Sequence, residues 1–384
     1  MRDYREDIEG YREIKQELEI CRKYGIDYRA QKGRRAEVVS RLHPSVLKLK
    51  VADIILETPS TKTFRLVARE VNLPPFQAGQ YINLQVEFNG IRTSRPYSIS
   101  SSPRQTAYYD ITVRKIAGGF VSAYLFDQTS VGEQFDSSGP AGNFYYNPLF
   151  HGQKLVFLAG GSGVTPFMSM IRENADLGLE REIHLFYGSQ TSEELIFHQE
   201  LTGIDARRPH FHYHPVLEEV AADYQGLSGR ISSALIARVL GEQTVDTYYI
   251  CGPQAMYDAL LPQLEALKIP GRKIRHEMFG NLTDIAAAPG WPREIGKDTT
   301  FTVHVAGKKS LPAQAGEPLL IALEKAGLMV PSRCRSGECS LCRVQLLSGK
   351  VFQPPGVLLR ESDKKYGYIH SCKAYPLEDL EIRL

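Results

Sequence analysis

Tryptophan occurs once in 384 residues, and only two of the six cysteines, Cys21 and Cys251, lie outside the last 51 positions. So sparse a distribution over most of a large chain excludes the disulfide framework of a small secreted domain. No stretch approaches the ~20 consecutive apolar residues of a membrane-spanning helix. The opening MRDYREDIEGYREIKQELEI is densely charged and reads as neither a secretory signal nor a membrane span. An excess of one charge is missing too: 46 Lys and Arg against 44 Asp and Glu leave +2, which predicts no strong attraction for nucleic acid or anionic membrane. Internal repeats and long low-complexity tracts are absent. With 42% apolar and 23% charged residues, the balance is that of a soluble globular protein, expected in the cytoplasm, with room for two to three domains of roughly 150 residues.

The texture of the chain changes along its length. Residues 1–48 carry two helical patterns: Tyr4, Ile8, Tyr11, Ile14, Leu18 and Cys21 at intervals of three and four before Gly25, and a second stretch from Ala36 to Leu42 ending before His43-Pro44. From residue 49 to 148, short alternating runs (VADIILET, TKTFRLVA, QYINLQVEF, YDITVRKI) with turns such as Asn89-Gly90 predict an antiparallel β-barrel. From 149 to 283, KLVFLAGG, EIHLFYGS, FHYHPVL and DTYYICGP alternate with helical stretches, the pattern of a parallel α/β domain. Residues 284–300 read as a linker, whose first fifteen residues, DIAAAPGWPREIGKD, could reach at most about 50 Å at roughly 3.3 Å per residue. A compact mixed α/β segment fills 301–384.

Four cysteines stand out by spacing: Cys334-x4-Cys339-x2-Cys342, then Cys372. Three thiolates on one tight loop can wrap a small cluster, and a distant fourth can close the cage. Gly337 gives that loop backbone freedom. A zinc site normally uses paired C-x2-C units, of which there is one here, and four unrelated buried cysteines are the plainest alternative. The spacing matches the plant-type [2Fe-2S] pattern, and residues 301–384 resemble a plant-type, β-grasp-like ferredoxin domain throughout. The resemblance implies a low-potential, one-electron carrier.

Two further motifs suit phosphate-bearing ligands. Arg95-Pro96-Tyr97-Ser98 supplies a cation, a flat ring and a hydroxyl. Gly118-Gly119-Phe120-Val121-Ser122 opens a helix whose N-terminus, with that cation, forms an anion trap. Arg-Pro-Tyr-Ser alone is a weak signal. LVFLAGGSGVTPFMSMIR runs strand, glycine turn, helix: Gly160, Gly161 and Gly163 permit close approach by a pyrophosphate, Thr165 fits an N-cap and Pro166 the first helical position. The G-x-G-x-x-G dehydrogenase fingerprint is absent. A 2′-phosphate needs Arg or Lys beyond EIHLFYGS. Ser189-Gln190-Thr191-Ser192-Glu193-Glu194 offers two carboxylates instead, which favours NADH, with NADPH open through Arg207 and Arg208.

In this order the motifs resemble the ferredoxin–NADP reductase family over roughly Leu49 to Phe279, here joined to a ferredoxin domain as in phthalate dioxygenase and phenylacetyl-CoA epoxidase reductases. That resemblance implies a flavin, FAD with FMN as the alternative. Arg95 would meet its phosphates, Tyr97 and Ser98 its ring, and Gly118 to Ser122 its phosphate or pyrophosphate. It also implies that Cys251 sits near the nicotinamide, that Gly252-Pro253 shape its floor, and that Glu277 and Phe279 close the site. Hydride transfer would then rest on Ser98, Cys251 and Glu277, and Cys334, Cys339, Cys342 and Cys372 would hold the cluster. The implied protein is an NAD(P)H-dependent reductase that passes single electrons to a protein acceptor: a Rieske or diiron oxygenase, a corrinoid enzyme or another redox enzyme. The alternative is a fixed electron-input subunit docked through the N-terminal helices, and a self-contained small-molecule reductase is a weaker third reading. His210, His212 and His214 alternate and would share a strand face, either as a metal site or as a histidine-rich strand. Lys364 and Lys365 are expected at the surface, where they could orient a partner.

Overall fold

The computed structural model describes residues 10–25, 33–42, 44–70, 72–220, 224–278 and 284–384. Residues 1–45 form one unit and 46–384 another. The first contains α1 (Tyr11–Lys23) and α2 (Arg34–Leu42). No residue of α1 is buried, and Ile14 and Ile20 are exposed. Among the described residues no helix is long and apolar enough to cross a membrane.

The second unit opens with a six-stranded antiparallel sheet. Its strands are β1 (Leu47–Thr58), β2 (Thr61–Ala68), β3 (Tyr81–Phe88), β4 (Ile91–Ser98), β5 (Tyr109–Arg114) and β6 (Gln134–Ser137), in the order β4-β3-β6-β1-β2-β5. Leu47, Leu49 and Val51 alternate with exposed residues along β1, as a half-buried strand requires. A bridge between Ile99 and Ile111 ties the end of β4 to β5 and draws the sheet into a half-barrel. Asn89 and Gly90 both have positive φ, so β3 and β4 are joined by the primed turn that matches strand twist. Arg95 to Ser98 lie within β4 itself, a strand whose polar composition hid it. Helix α3 (Phe120–Asp127) follows β5.

Six parallel strands come next, in the order β10-β9-β8-β7-β11-β12: β7 (Lys154–Gly160), β8 (Glu182–Ser189), β9 (Phe211–Leu217), β10 (Leu227–Ser228), β11 (Thr247–Cys251) and β12 (Ile274–His276). Leu155 to Ala159 are buried without alternation because helices cover both faces. Helices α4 (Val164–Leu177) and α5 (His198–Asp205) pack on one face, and α6 (Ser233–Leu240) and α7 (Gln254–Ala266) on the other. The chain steps outward from β7 through β8 and β9, then crosses back to β11. The gap between β7 and β11 is therefore the switch point, and ligands of such sheets bind outside the carboxyl ends of the strands there.

The last segment is a mixed sheet, β14-β13-β19-β15-β17, with a separate β16-β18 pair. Its strands are β13 (Thr300–Val305), β14 (Ser310–Gln314), β15 (Arg343–Ser348), β16 (Val351–Phe352), β17 (Tyr368–His370), β18 (Tyr375–Pro376) and β19 (Leu380–Arg383); its helices are α8 (Leu319–Lys325) and α9 (Glu361–Lys365). The stretch expected to be an extensible linker is packed down instead. Ile285 and Trp291 are buried against Ala315, Phe352 and Tyr375, and the Ala315 and Gly316 N–H groups donate to the Thr299 and Lys297 carbonyls. Burying the one indole outweighs the loop-like composition around it.

Candidate active site and cluster centre

A cavity of about 800 Å³ opens at the switch point. Strand β4 contributes Arg95, Pro96, Tyr97 and Ser98; the start of α3 contributes Gly119, Phe120, Val121 and Ser122. The carboxyl end of β7 and the head of α4 add Gly160, Gly161, Gly163, Thr165 and Pro166, and the end of β11 adds Cys251, Gly252 and Pro253. Leu320, Arg335 and Cys372 close it from the C-terminal segment. Of the residues expected at the flavin and nicotinamide motifs, Gly118 and Glu277 are not among those lining the cavity, and Phe279 lies outside the described residues.

Glycine is required where β7 meets β11. A Cβ on Gly163 would stand 2.1 Å from the Cys251 carbonyl oxygen, and one on Gly160 2.8 Å from Pro253 Cδ. Gly161 has φ +53 and lies against Arg114. The two motifs are thus halves of one close-packed turn. Thr165 does not cap the helix: α4 begins at Val164, and the Thr165 hydroxyl donates to the Ser162 carbonyl at 2.7 Å. The 3-10 turn Gly161–Gly163 already leads into α4, so Pro166 sits within its first turn.

Arg95 is half-buried and donates to Thr93 Oγ1 at 2.6 Å and to the Ser94 carbonyl at 2.7 Å. Burial, then the neighbouring charge of Arg335, pushes its pKa down to about 10. Glu324 is the carboxylate paired with Arg335, whose Nε has no partner. Two guanidinium groups beside one carboxylate leave a net positive wall, and the N-terminus of α3 adds to it with no side-chain cap. That wall fits a ligand phosphate. Ser122 Oγ accepts the Ile116 N–H at 3.2 Å, which leaves its hydroxyl hydrogen to donate.

Cys251 is buried, and burial followed by the Glu277 carboxyl pushes its thiol well up, so it is neutral at ordinary pH. Glu277 is pushed far above the carboxylate range by burial and then by Glu338 and Cys334. It sits on the cluster side of the site, near Tyr81 and Gly142, with Oε2 unpartnered.

Cys334, Cys342 and Cys372 are buried and Cys339 partly so. Their sulfurs meet in two pairs, Cys334 with Cys339 and Cys342 with Cys372. In each pair the neighbouring thiol holds one sulfur, that of Cys334 or Cys342, below its ordinary value. The Ser336 and Cys339 N–H groups donate to Cys334 Sγ at 3.5 and 3.3 Å. Four sulfurs in two pairs suit a binuclear centre held by two ligands at each metal. Arg335, Gly337 and Ser340 all have positive φ, and strain at two non-glycine residues marks a loop shaped around a guest.

The cluster loop is also a joint. Thr93 Oγ1 donates to Glu324 Oε2 at 2.9 Å, Arg335 Nη2 donates to Thr93 Oγ1 at 3.2 Å, and Asn83 Nδ2 donates to the Ser332 carbonyl at 2.8 Å. Arg335 and Glu324 escaped the sequence reading, since nothing local marks a pair whose partners lie some 240 positions away. Arg114, Glu218 and Arg230 were missed as well, although all three line the cavity. Arg207 and Arg208 do not line it; they border a separate hollow with Arg172 and Glu200. Glu194 is turned toward the barrel, accepting from Ser60 Oγ at 2.5 Å and pairing with Arg114 at 3.3 Å.

Comparison with known proteins agrees with this geometry. The families described as Oxidoreductase FAD-binding domain, Oxidoreductase NAD-binding domain and 2Fe-2S iron-sulfur cluster binding domain match residues 48–146, 157–261 and 303–377. The glycine betaine monooxygenase reductase subunit of Pseudomonas aeruginosa is 30% identical over 87% of this chain and 94% of its own. The ferredoxin reductase component of 3-ketosteroid-9-alpha-monooxygenase from Mycobacterium tuberculosis is 29% identical over the same shares. The structure of phthalate dioxygenase reductase is similar over 88% of this chain and 98% of that one, with 28% identity and a TM-score of 0.66. With its half-barrel, its parallel nucleotide sheet and its four-cysteine loop, the chain belongs to the ferredoxin–NADP reductase-type NAD(P)H-dependent oxidoreductases that carry a C-terminal [2Fe-2S] ferredoxin domain.

Proposed function

We propose that this chain is the NADH-dependent reductase component of a multicomponent oxygenase, with FAD in the cavity and a [2Fe-2S] cluster on the four cysteines. The observation that carries the reading is one cavity walled by β4, by the β7 and β11 turns, and by Cys372 of the cluster set. When bound, the flavin and cluster supply the conversion from a two-electron hydride donor to a one-electron protein acceptor. The residues supply position. Arg95, Arg335 and the N-terminus of α3 would take the flavin phosphates, and Tyr97 and Ser98 would hold its ring. Gly160, Gly161 and Gly163 would admit the nicotinamide pyrophosphate. Cys251, Gly252 and Pro253 would floor the nicotinamide, with the neutral thiol excluding water without offering charge. Glu277 acts from the cluster side by polarity alone.

Preference for NADH rests on Glu218 and Arg230. Arg230 Nε donates to Glu218 Oε2 at 3.1 Å, so this guanidinium is paired and the adjoining carboxylate opposes a 2′-phosphate. An oxygenase acceptor is favoured because both curated relatives above are named as reductase parts of monooxygenases. The test is an anaerobic NADH titration followed by absorbance and low-temperature EPR, with NADPH as the control. Bleaching of the flavin together with a rhombic [2Fe-2S] signal supports the reading. Bleaching with no cluster signal, despite full iron occupancy, refutes the relay.

A further inference from the structure

The β11–β12 ladder stops short of the cavity, and one side chain takes the place of its next rung. Tyr248, Tyr249 and Ile250 pair in parallel with Ile274, Arg275 and His276, and the Glu277 N–H donates to the Ile250 carbonyl at 3.2 Å. In a parallel ladder the following bond runs from the Gly252 N–H to the Glu277 carbonyl. It does not form. The Gly252 N–H donates instead to the Tyr257 hydroxyl at 3.0 Å, and that hydroxyl donates to the Glu277 carbonyl at 2.5 Å. A phenol oxygen is wedged between the two groups that the ladder would have joined.

Tyr257 lies in the first turn of α7 and is buried, its ring in an apolar cluster with Ile250, Leu260 and Leu264. Burial, then the Cys251 thiol, pushes its pKa far up, so it keeps the hydrogen that it donates. Cys251 Sγ is a third partner of the same hydroxyl. One hydrogen and two lone pairs are all a hydroxyl has. With its hydrogen given to Glu277 and one lone pair to Gly252, the other is left for the thiol hydrogen, which fixes the rotation of Cys251. On the opposite side this turn meets backbone. A Cβ on Gly163 would stand 2.1 Å from the Cys251 carbonyl oxygen, and one on Gly252 3.2 Å from the Gly160 nitrogen. The floor of the cavity is clamped by glycines toward β7 and by one hydroxyl toward β12.

We propose that Tyr257 is a positioning residue for hydride transfer, its hydroxyl holding the Cys251-Gly252 floor and the Glu277 backbone at the separation that seats the nicotinamide against the flavin. The role depends on the nicotinamide placement proposed above. The wedge touches no reacting atom and acts through Cys251 and Gly252. A rung closed directly would draw the ends of β11 and β12 together, and a floor displaced by about 1 Å is enough to slow the transfer roughly 100-fold.

The test is Tyr257→Phe in the holoprotein, which keeps the ring and removes the wedge. In anaerobic stopped-flow with saturating NADH, the limiting rate of flavin reduction should fall about 10- to 100-fold. The half-saturating NADH concentration should change less than about threefold. The long-wavelength charge-transfer absorbance of dithionite-reduced protein with NAD⁺ reads the stacking of nicotinamide on flavin without turnover, and it should lose most of its intensity. Replacing Tyr257 by 3-fluorotyrosine, which retains the hydroxyl, should restore both rate and band. Tyr248→Phe, on the same strand and outside the cavity, should leave both unchanged. A parent protein that NADH does not reduce would refute the nicotinamide placement itself. A parent reduced normally, with Tyr257→Phe equally fast and its band unaltered, would overturn the wedge alone. So would a Tyr257→Phe protein that loses flavin or cluster, or a defect that 3-fluorotyrosine does not repair, because the hydroxyl would then be a structural tie.

Discussion

The cavity has two seams, built on opposite principles. Where β7 meets β11, side chains are absent: Gly160, Gly161, Gly163 and Gly252 bring backbone against backbone, and a single methyl group at Gly163 would stand 2.1 Å from a carbonyl oxygen. Where β4 meets the cluster loop, side chains are everything: Asn83, Thr93 and Ser94 meet Glu324, Ser332 and Arg335 in a buried polar network. The first seam lies inside one parallel sheet, whose ladder already fixes the register, so it needs only room. The second joins segments more than 200 residues apart with no shared sheet, so its partners must be specified by matched charge and hydrogen bonds. A glycine seam is permanent once folded; a polar seam can be specific and still come apart.

The largest way to break this contrast is to empty the polar side of its guest. Cys342→Ser should abolish the [2Fe-2S] signal and electron delivery to any one-electron protein acceptor, while NADH–ferricyanide turnover through the glycine side persists; metal analysis and EPR check it. Next is Glu324→Ala, which leaves Arg335 buried without its carboxylate. Removing one partner of such a pair costs roughly 3–5 kcal/mol, enough to shift docking of the loop on β4 by about 100-fold or more. Stopped-flow absorbance should show flavin reduction by NADH intact and cluster reduction slowed. Gly163→Ala attacks the other seam, where overpacking costs about 1–3 kcal/mol. The thermal midpoint should fall and flavin reduction by NADH slow by about tenfold, with the later electron step unaltered. The smallest effect is Glu218→Gln, which removes one partly exposed carboxylate and should raise kcat/KM for NADPH only a few-fold relative to NADH.

The two seams also differ in how legible they were. Glycine spacing is local, so G-G-x-G-x-x-P and Cys-Gly-Pro announced the first seam, and the four cysteines announced the cluster, because close approach and metal geometry impose fixed intervals on a short stretch. Arg335 sits between two of those cysteines and still went unread, since its partners Thr93 and Ser94 are reached only through the fold. Thr165 failed as an N-cap for a related reason: the 3-10 turn before it lies inside an apparently plain glycine run. The short loop after β8 could not say which way Glu194 turns; it turns to Ser60 and Arg114, and Glu218 and Arg230, which line the cavity, come from a later stretch that carried no local signal. Trp291 made a packed layer of a stretch whose Pro, Gly and charge suggested slack. Strand β4 was hidden by its own polarity, the same residues that make it the wall of the site.

One measurement bears directly on whether the docked arrangement is the route of electrons. In single-turnover stopped-flow, oxidised enzyme is mixed anaerobically with saturating NADH, and cluster reduction is followed over a tenfold range of protein concentration. A first-order rate that does not change with concentration is predicted, because Cys372 already lines the cavity. A rate that rises in proportion to concentration would mean that electrons cross between molecules, and that the joint of Glu324 and Arg335 with β4 is not the path they take.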